Sequence, residues 1–530
     1  MSEAQLRDFI QKHEQLVRPL ERDRNLAWWE HATTGTKEAE QRSAELSGRY
    51  RKLHADRSAF EVLGGWRDAA VASDPQLRRQ LEILYLNHLG NQSDSETIER
   101  MVRLEAEVES IYANYRGRVS GQEASDNDIH RILLESNDGA LRREAWESSK
   151  GIGPLVKQRV LELVRLRNQA AQRLGYRDHF VFSLTVQELD ETQLLRLLEQ
   201  LEKLTREPYF EAKDELDRRL AARFKIPPEE LRPWHYADPF FQEPPPNPEL
   251  QLEAWYKQAD VLQLAHKTYE ALCLPIDAIL ERSDLYPRPG KNQHAFAIDI
   301  DRGGDVRILC NLEPSERWAS TALHELGHAV YDAGVDPGLP FFLRSYAHTL
   351  TTEAIALLMG RLTRDPEWLE TTVGIPADLA RRQSEAILEQ QRLGMLIFVR
   401  WALVMVQFER ALYGEPDSDL GHLWWTLVER LQGVRCPPGP RGADWAAKLH
   451  LALAPVYYQN YILGELCASQ LLGAIRLYTG RGLVGNSTAG LWLAEHVFRP
   501  GAGYSWDELV LRATGKELGP DAFVAQYLFS

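Results

Sequence analysis

The stretch Thr321-Ala322-Leu323-His324-Glu325-Leu326-Gly327-His328-Ala329-Val330-Tyr331 decides how the rest of this 530-residue chain is interpreted, because it contains the pattern H-E-x-x-H. On a helix, residues four apart share a face, so His324 and His328 can bind one metal ion from the same side. Glu325 is placed to accept a proton from a water molecule at that ion. The run from Trp318 to Tyr331 contains no proline, and Gly334 follows it, which predicts a helix here.

A metal site of this kind needs a third protein ligand, because catalytic zinc sites combine three protein ligands with one open position. A histidine six residues after His328 is one common source, but position 334 is glycine. The segment 350–359 predicts an apolar helix in which Glu353 is the one carboxylate. Burying that charge is unfavourable unless a cation compensates it. The sequence therefore predicts Glu353 as the third ligand of one Zn²⁺ ion per chain, with His348 as a rival that precedes this helix.

Composition and charge argue against several classes of protein. Apolar residues make up 44% of the chain and charged residues 26%, as in ordinary globular proteins. The net charge of −15 argues against nucleic-acid partners and anionic membranes. The first eight residues have no apolar signal core, no apolar run approaches membrane-spanning length, and the four cysteines are widely spaced. We therefore expect a cytoplasmic protein with reduced thiols, and the sequence predicts no oligomeric state.

Helical periodicity dominates the remainder of the chain. Four further helices are predicted by their apolar spacing: 155–174, 191–206, 255–272 and 384–412. No internal repeat or long low-complexity linker is present in the sequence, which favours one large helical body with internal lobes.

One stretch departs from the helical pattern. Residues 295–300 and 305–310, joined by the turn Asp301-Arg302-Gly303-Gly304, predict a β-hairpin just before the metal-binding helix. The edge of this hairpin could pair with an extended peptide, or the hairpin could be purely structural. The sequence leaves both alternatives open.

Several segments resemble the angiotensin-converting-enzyme family of zinc peptidases. His294-Ala295-Phe296-Ala297-Ile298-Asp299-Ile300 is similar to the family's H-A-S-A-W-D-F strand and stands at the same distance before the H-E-x-x-H helix. Glu353 lies within one residue of the family's glutamate ligand and matches its position in the related thimet oligopeptidase family. Lys448-Leu449-His450 resembles the K-F-H of the converting enzymes. Tyr458 and Tyr461 resemble the tyrosine pair that both families place after that histidine.

The resemblance implies a mainly α-helical fold, namely a large helical ellipsoid of two lobes around a deep central cleft, with a small β-hairpin beside the zinc helix. Residues 1–530 would then be a single metallopeptidase catalytic domain. Within it, residues 294–353 would carry the zinc site, and residues 448–467 would bind substrate and stabilise the transition state. Two positions differ from the family: Asn460 replaces a chloride-binding arginine, which makes chloride activation doubtful, and Leu357 replaces an aspartate that contacts a zinc histidine.

The resemblance also implies roles for individual residues. Glu325 would be the general base, and Tyr461, with His450, would stabilise the negative oxygen of the transition state. The substrate-binding residues would be His294, Ala295, Phe296, Ala297, Lys448 and Tyr458. The expected activity is hydrolysis of short peptides, with dipeptides released from the C-terminus.

The residues by themselves allow other interpretations. The tyrosines could form an ordinary aromatic helix face, His450 could be structural, and Lys448 could be a solvated surface lysine. If Lys448 is a surface residue, an oligoendopeptidase of thimet type becomes the better prediction. A zinc-stabilised binding protein without catalysis is a more remote alternative, because the general base and all three ligands are present.

Overall fold

The computed structural model describes residues 2–247, 250 and 252–528. The fold is mainly α-helical, as the sequence predicts, and the strands of the described residues form two small antiparallel sheets. The chain divides into two compact units, each built from separate segments. Unit 1 comprises Met1–Gln92, Leu250–Ile387 and Leu463–Phe523, and unit 2 comprises Ser93–Glu249, Leu388–Ile462 and Val524–Ser530. In the part of the chain that the structure describes, no helix combines the length and the apolar character needed to cross a lipid bilayer.

The first segment of unit 1 consists of four helices: α1 (Glu3–Thr34), α2 (Lys37–His54), α3 (Arg57–Asp68) and α4 (Pro75–Leu89). Helix α1 begins at a capping box in which the Ser2 hydroxyl accepts a hydrogen bond from the Gln5 N–H. Its apolar residues recur at helical spacing, so one face is buried. That face belongs to a core cluster that includes Leu6, Ile10, Val17, Leu63, Trp66, Leu77, Leu81, Leu84, Phe341 and Phe342.

The first segment of unit 2 contains six helices and a short hairpin: α5 (Ser95–Asn114), β1 (Gly117–Val119), β2 (Gln122–Ala124), α6 (Asp126–Glu135), α7 (Gly139–Lys150), α8 (Gly153–Arg173), α9 (His179–Val186) and α10 (Glu191–Phe224). The helix predicted over 155–174 is confirmed as α8. The helix predicted over 191–206 continues to Phe224, although Pro208 lies inside it. Proline removes one backbone hydrogen bond. Burial of Tyr209, whose hydroxyl donates to the Gln432 carbonyl over 2.7 Å, offsets that cost.

The second segment of unit 1 contains the predicted metal site: α11 (Leu252–Tyr256), α12 (Val261–Ala271), α13 (Asp277–Leu280), β3 (Phe296–Asp299), β4 (Val306–Leu309), α14 (Glu316–Gly334), α15 (Thr349–Gly360), α16 (Pro366–Trp368) and the beginning of α17 (Ala377–Gly414). The prediction of one helix over 255–272 is wrong. The chain breaks between α11 and α12, because the Asp260 carboxylate accepts hydrogen bonds from the Leu262 and Gln263 N–H groups and so starts a new helix.

The rest of the chain is also helical: α18 (Leu420–Gln432), α19 (His450–Leu453), α20 (Tyr458–Thr479), α21 (Ser487–Leu493), α22 (Trp506–Thr514) and α23 (Asp521–Leu528). The helix predicted over 384–412 is confirmed as the central part of α17. The predicted β-hairpin is also present, since β3 pairs with β4 in antiparallel register from Phe296 opposite Leu309 to Asp299 opposite Val306. It packs against α14, the helix of the H-E-x-x-H motif.

Candidate metal centre

The three predicted metal ligands come together in unit 1. Possible ligand atoms of His324, His328 and Glu353 all lie within 4.8 Å of one another. The two Nε2 atoms of the histidines are 3.3 Å apart, and the Nε2 atom of His324 is 3.8 Å from a carboxylate oxygen of Glu353. Among the described residues, this is the one group of three or more histidine, cysteine or acidic residues with such close donor atoms.

Helices α14 and α15 position these ligands because their backbones approach closely. Gly327 lies between the motif's Glu325 and His328 and faces α15, where a Cβ atom would lie 2.8 Å from the Ala356 Cα atom. The Ser320 hydroxyl of α14 donates to the Gly360 carbonyl of α15 over 3.0 Å. Glycine at position 327 therefore allows the two ligand-bearing helices to pack without a side chain between them.

Each of the two helices begins at a side-chain cap. The Ser315 hydroxyl accepts from the Trp318 N–H at the start of α14, as expected for an N-cap serine. At the start of α15, the Nδ1 atom of His348 accepts from the Leu350 N–H over 3.0 Å. His348 is therefore the cap of the helix that carries Glu353, and it does not belong to the ligand group.

Burial controls the ionisation of the three predicted ligands and of Glu325. It lowers the pKa of His324 to about 4 and that of His328 to about 3, so both imidazoles are neutral near pH 7. Burial also raises the pKa of Glu353 to about 7. The pKa of Glu325 rises to about 8, through burial and then through the nearby Glu353 charge. The carboxyl groups of Glu325 and Glu353 therefore lie with two neutral imidazoles in one buried site.

This donor set fits Zn²⁺. Neutral imidazole nitrogens and a carboxylate oxygen are among the ligands that zinc takes in catalytic sites. A divalent cation would also stabilise the charged forms of Glu325 and Glu353, which burial disfavours. The Nδ1 atom of His328 lies 2.7 Å from the Thr352 hydroxyl oxygen, which leaves the Nε2 atom to face the ligand group. The residues present therefore fit a zinc ion.

Strand β3 of the hairpin contacts the candidate metal centre. The Ala297 backbone N–H donates a hydrogen bond to the Glu325 carboxylate. Strand β3 pairs only with β4 within the described residues, so no strand covers its outer edge. The Asn25 side-chain amide donates to the carbonyls of Asp299 and Ile300 over 3.0 and 3.2 Å. The carbonyls at the C-terminal end of β3 therefore already have a hydrogen-bond donor. The backbone near Ala297 thus lies beside the general-base candidate.

The other residues predicted on this strand have different surroundings. His294 is exposed, and its backbone N–H donates to the Asn292 side chain over 2.9 Å. Ala295 and Phe296 are half-buried. The Phe296 ring contacts Trp28 and Trp29 of α1, at ring-centroid distances of 6.1 and 6.2 Å.

The predicted substrate-binding lysine lies in unit 2. Its ammonium group donates to the Gln242 side-chain oxygen over 2.9 Å. The Lys448 nitrogen also lies 5.3, 5.2 and 5.6 Å from the ring centroids of Phe240, Trp401 and Tyr458. Burial lowers the pKa of Lys448 to about 8. Lys448 is therefore not the solvated surface lysine that the sequence left as an alternative.

An aromatic cluster in unit 2 contains the other three predicted residues. The rings of His450 and Tyr458 are 5.1 Å apart, and those of Tyr458 and Tyr461 are 5.4 Å apart. The Trp401 indole N–H donates to the Tyr458 hydroxyl over 3.0 Å. Burial lowers the pKa of His450 to about 4, so its imidazole is neutral. Asn460, between the tyrosines, donates to the Gln187 side-chain oxygen over 2.8 Å.

Two residues of interest were missed in the sequence. Gln242 contacts Lys448, and Thr352 contacts His328. The position of Thr352, next to the predicted ligand Glu353, was a usable signal. Gln242 gave none, because its contact joins residues that are far apart in the chain.

Two histidines from one helix and a glutamate from a second define the class of H-E-x-x-H metalloproteins with a glutamate as third ligand. The sequence pattern of a peptidase family described as angiotensin-converting enzyme matches residues 1–212 and 256–517. This chain belongs to that family and is therefore a metallopeptidase. The match favours the converting-enzyme alternative over the thimet alternative.

A named relative agrees with this family assignment. The chain is similar to the angiotensin-converting enzyme-like protein Ace3 of Mus musculus. The two are 22% identical over 584 aligned residues, which cover 99% of this chain and 76% of the mouse protein.

Proposed function

We propose that this protein is a zinc-dependent peptidase that hydrolyses short peptides and releases dipeptides from their C-termini. The observation that carries the proposal is the convergence of His324, His328 and Glu353, with Glu325 buried beside them, in a chain of this family. The same convergence opposes the non-catalytic alternative, since a binding protein needs no general base.

The proposed roles follow from the chemistry of each side chain. His324, His328 and Glu353 would hold Zn²⁺, which when bound acts as a Lewis acid toward the scissile carbonyl and makes water more acidic. Glu325 accepts a proton from the attacking water and delivers it to the leaving amine. The Ala297 N–H orients the Glu325 carboxylate for both transfers.

The role of the strand follows from its backbone. Because the outer edge of β3 has no strand partner among the described residues, an extended peptide can add to it through main-chain hydrogen bonds. His294, Ala295 and Phe296 would bind the substrate in this way, and Ala297 would do so through its carbonyl, because its N–H donates to Glu325. Asn25 limits the bound stretch, because its amide already occupies the carbonyl of Asp299.

The roles in unit 2 rest on charge and hydrogen bonding. Lys448 and Gln242 together offer a cation and an amide to a carboxylate, and Tyr458 adds a hydroxyl. A free C-terminal carboxylate is the group that this set would bind. Tyr461 donates its hydroxyl to the negative oxygen of the transition state, with neutral His450 beside the tyrosine pair.

Hydrolysis of a mixed peptide pool, followed by mass spectrometry, tests the proposed activity. We expect C-terminal dipeptides as products, complete loss of hydrolysis after a chelator, and recovery with added Zn²⁺. Hydrolysis that continues in the metal-free protein would contradict the metal assignment. No hydrolysis of any peptide by zinc-loaded protein would contradict the enzymatic proposal.

A matched pair of peptides with a free and an amidated C-terminus tests the dipeptide release. We expect amidation to remove nearly all cleavage by the native protein, because it removes the negative charge that Lys448 binds. The Lys448→Met variant should cleave the free peptide poorly and should discriminate little between the pair. Equal cleavage of both peptides by the native protein, at internal bonds, would instead identify an oligoendopeptidase.

We also propose that the protein works in the cytoplasm, without nucleic-acid or membrane partners. The support is the acidic charge and the four free cysteines, of which Cys310 and Cys467 are buried. Free thiols suit a reducing compartment. Cell fractionation of the full chain tests this location, and recovery in an oxidising compartment would contradict it.

A further inference from the structure

Thr352 contacts the ring nitrogen of a proposed metal ligand, His328, that points away from the ligand group. Its hydroxyl oxygen lies 2.7 Å from the Nδ1 atom of His328, while the Nε2 atom of the same ring is 3.3 Å from that of His324. Thr352 is buried, with 4% of its surface exposed. Each nitrogen of the His328 ring therefore has a defined neighbour.

A metal ion bound to the Nε2 atom would fix the tautomer of His328. A nitrogen that binds a metal ion must offer its lone pair, so the single proton of the neutral ring has to reside on the other nitrogen. With a metal ion on the Nε2 atom, the N–H would be at Nδ1 and would donate to the Thr352 oxygen, 2.7 Å away.

The partner in this chain is an uncharged hydroxyl. Metal-bound histidines usually donate their second N–H to a carboxylate, a carbonyl or water. Leu357, one turn after Glu353 on α15, has no polar atom to offer. Thr352 precedes Glu353 directly, so one turn of α15 supplies both a ligand and the support of another ligand.

We propose that Thr352 is a positioning residue that holds His328 in the orientation and tautomer needed to bind zinc, an inference that rests on the proposed zinc-dependent function. Losing such a partner commonly weakens metal binding by about 10–100-fold. Valine has nearly the shape of threonine and lacks the hydroxyl, whereas serine keeps the hydroxyl and loses a methyl group.

The test measures the zinc dissociation constant of purified full-length variants by competition with a coloured chelator. We expect Thr352→Val to weaken zinc binding about 10–100-fold and Thr352→Ser to restore affinity to within about threefold of the native protein. The d–d absorption spectrum of the Co²⁺-loaded protein should change in the valine variant and match the native spectrum in the serine variant.

Thr351→Val is the matched control, because Thr351 is also buried and its hydroxyl donates to the His348 carbonyl over 2.7 Å. This control should lower Tm through the helix cap and leave zinc affinity unchanged. Equal zinc affinity in the native and Thr352→Val proteins would contradict the role of Thr352 and leave the proposed zinc-dependent function unaffected. If the native protein takes up no zinc, the proposed function fails first. If the valine variant does not fold, the zinc affinity and the Co²⁺ spectrum of Thr352→Ser decide. A serine variant that keeps the hydroxyl but loses both zinc affinity and the native Co²⁺ spectrum would contradict the role of Thr352.

Discussion

Glu325 is the residue whose replacement should separate the proposed catalysis from the proposed metal binding. Its carboxylate is buried beside the ligand group and accepts a hydrogen bond from the Ala297 N–H, but it is not one of the three ligands. Glutamine has the same shape and cannot accept the proton. We expect Glu325→Gln to lower kcat by about 10²–10⁴-fold, the usual contribution of a general base.

Zinc content and peptide hydrolysis should be measured on the same Glu325→Gln sample. The variant should keep one zinc per chain, because His324, His328 and Glu353 are unchanged. Glu353→Gln is the contrasting control and should lose zinc together with activity. Full activity in Glu325→Gln would exclude Glu325 as the base.

Residues differ in how far the sequence predicts their roles. His324, Glu325 and His328 form a local pattern, and Glu353 is the one carboxylate of an apolar helix, so spacing and composition are enough to find them. The contact of Gln242 with Lys448 spans 206 residues. It depends on how separate segments of unit 2 pack, which no local pattern encodes.

At the scale of elements, the packing of α14 on α15 is the critical contact. A Cβ atom at position 327 would lie 2.8 Å from the Ala356 Cα atom, a backbone atom that cannot rotate away. Gly327→Ala should therefore push the ligand-bearing helices apart. We expect a loss of stability of about 1–3 kcal/mol, as for other overpacked sites, together with weaker zinc binding.

Chemical unfolding and zinc titration of Gly327→Ala measure these two effects. Gly473→Ala is the control, because Gly473 lies in α20 and a Cβ atom there meets nothing within 4 Å. Alanine favours helix over glycine, so this control should be neutral or slightly stabilising. If Gly327→Ala binds zinc as tightly as the native protein does, the close approach of α14 and α15 does not position the ligands.

Helices α1, α2 and α4 share a buried cluster of three histidines. The rings of His13, His54 and His88 lie 5.1–5.3 Å apart, and each has a buried Nε2 atom with no hydrogen-bond partner among the residues that the structure describes. Burial lowers the pKa of His13 to about 3 and that of His88 to about 4, and it also lowers the pKa of His54. The folded unit therefore holds all three rings neutral.

This cluster predicts acid sensitivity. Below the unfolded pKa of about 6.5, the unfolded chain binds protons that the folded unit does not, so the free energy of unfolding falls as pH decreases from about 6.5 toward 4. A histidine that is protonated in the unfolded chain and neutral in the folded unit adds up to about 1.4 kcal/mol per pH unit to that slope. Above pH 6.5 this contribution to stability is fully present.

Urea unfolding at a series of pH values checks this slope. His13→Phe should flatten it, because phenylalanine does not titrate and can keep the stacking that His13 makes on Phe9 at 5.6 Å. Replacement of the exposed His130 by alanine should leave the slope unchanged. An unchanged slope in His13→Phe would exclude the cluster as its source.

Element boundaries show a second limit of sequence-based prediction. The type of nearly every predicted element is correct, because helical periodicity extends over many residues. The two boundary errors have local causes that compete with periodicity. At Asp260 a side-chain cap divides a predicted helix, and at Pro208 burial of the following residues carries a helix through a proline.

At the scale of the whole molecule, each unit is assembled from separate stretches of chain. In unit 2, the side chains of Arg167 and Asn168 donate to the carbonyls of Ala452 and Tyr413 over 2.6 and 2.8 Å. A fragment of residues 93–249 would leave such buried groups without partners, which is costly. We expect this fragment alone to show no cooperative thermal transition.

Circular dichroism on heating tests the fragment. Co-expression with residues 388–462 should restore a cooperative transition, because these residues supply the other long segment of unit 2. The full-length protein is the positive control. A fragment of residues 93–249 that melts cooperatively by itself would show that the first segment is an independent folding unit.

The outer edge of β3 bears on self-association. An uncovered strand can join the same strand of another molecule and start aggregation. Here the strand is only Phe296–Asp299, and the Asn25 amide already occupies the carbonyl at its far end. The remaining backbone is too brief to seed a growing β-sheet. Concentrated solutions of the protein should therefore stay monodisperse in light scattering even when no peptide occupies this edge.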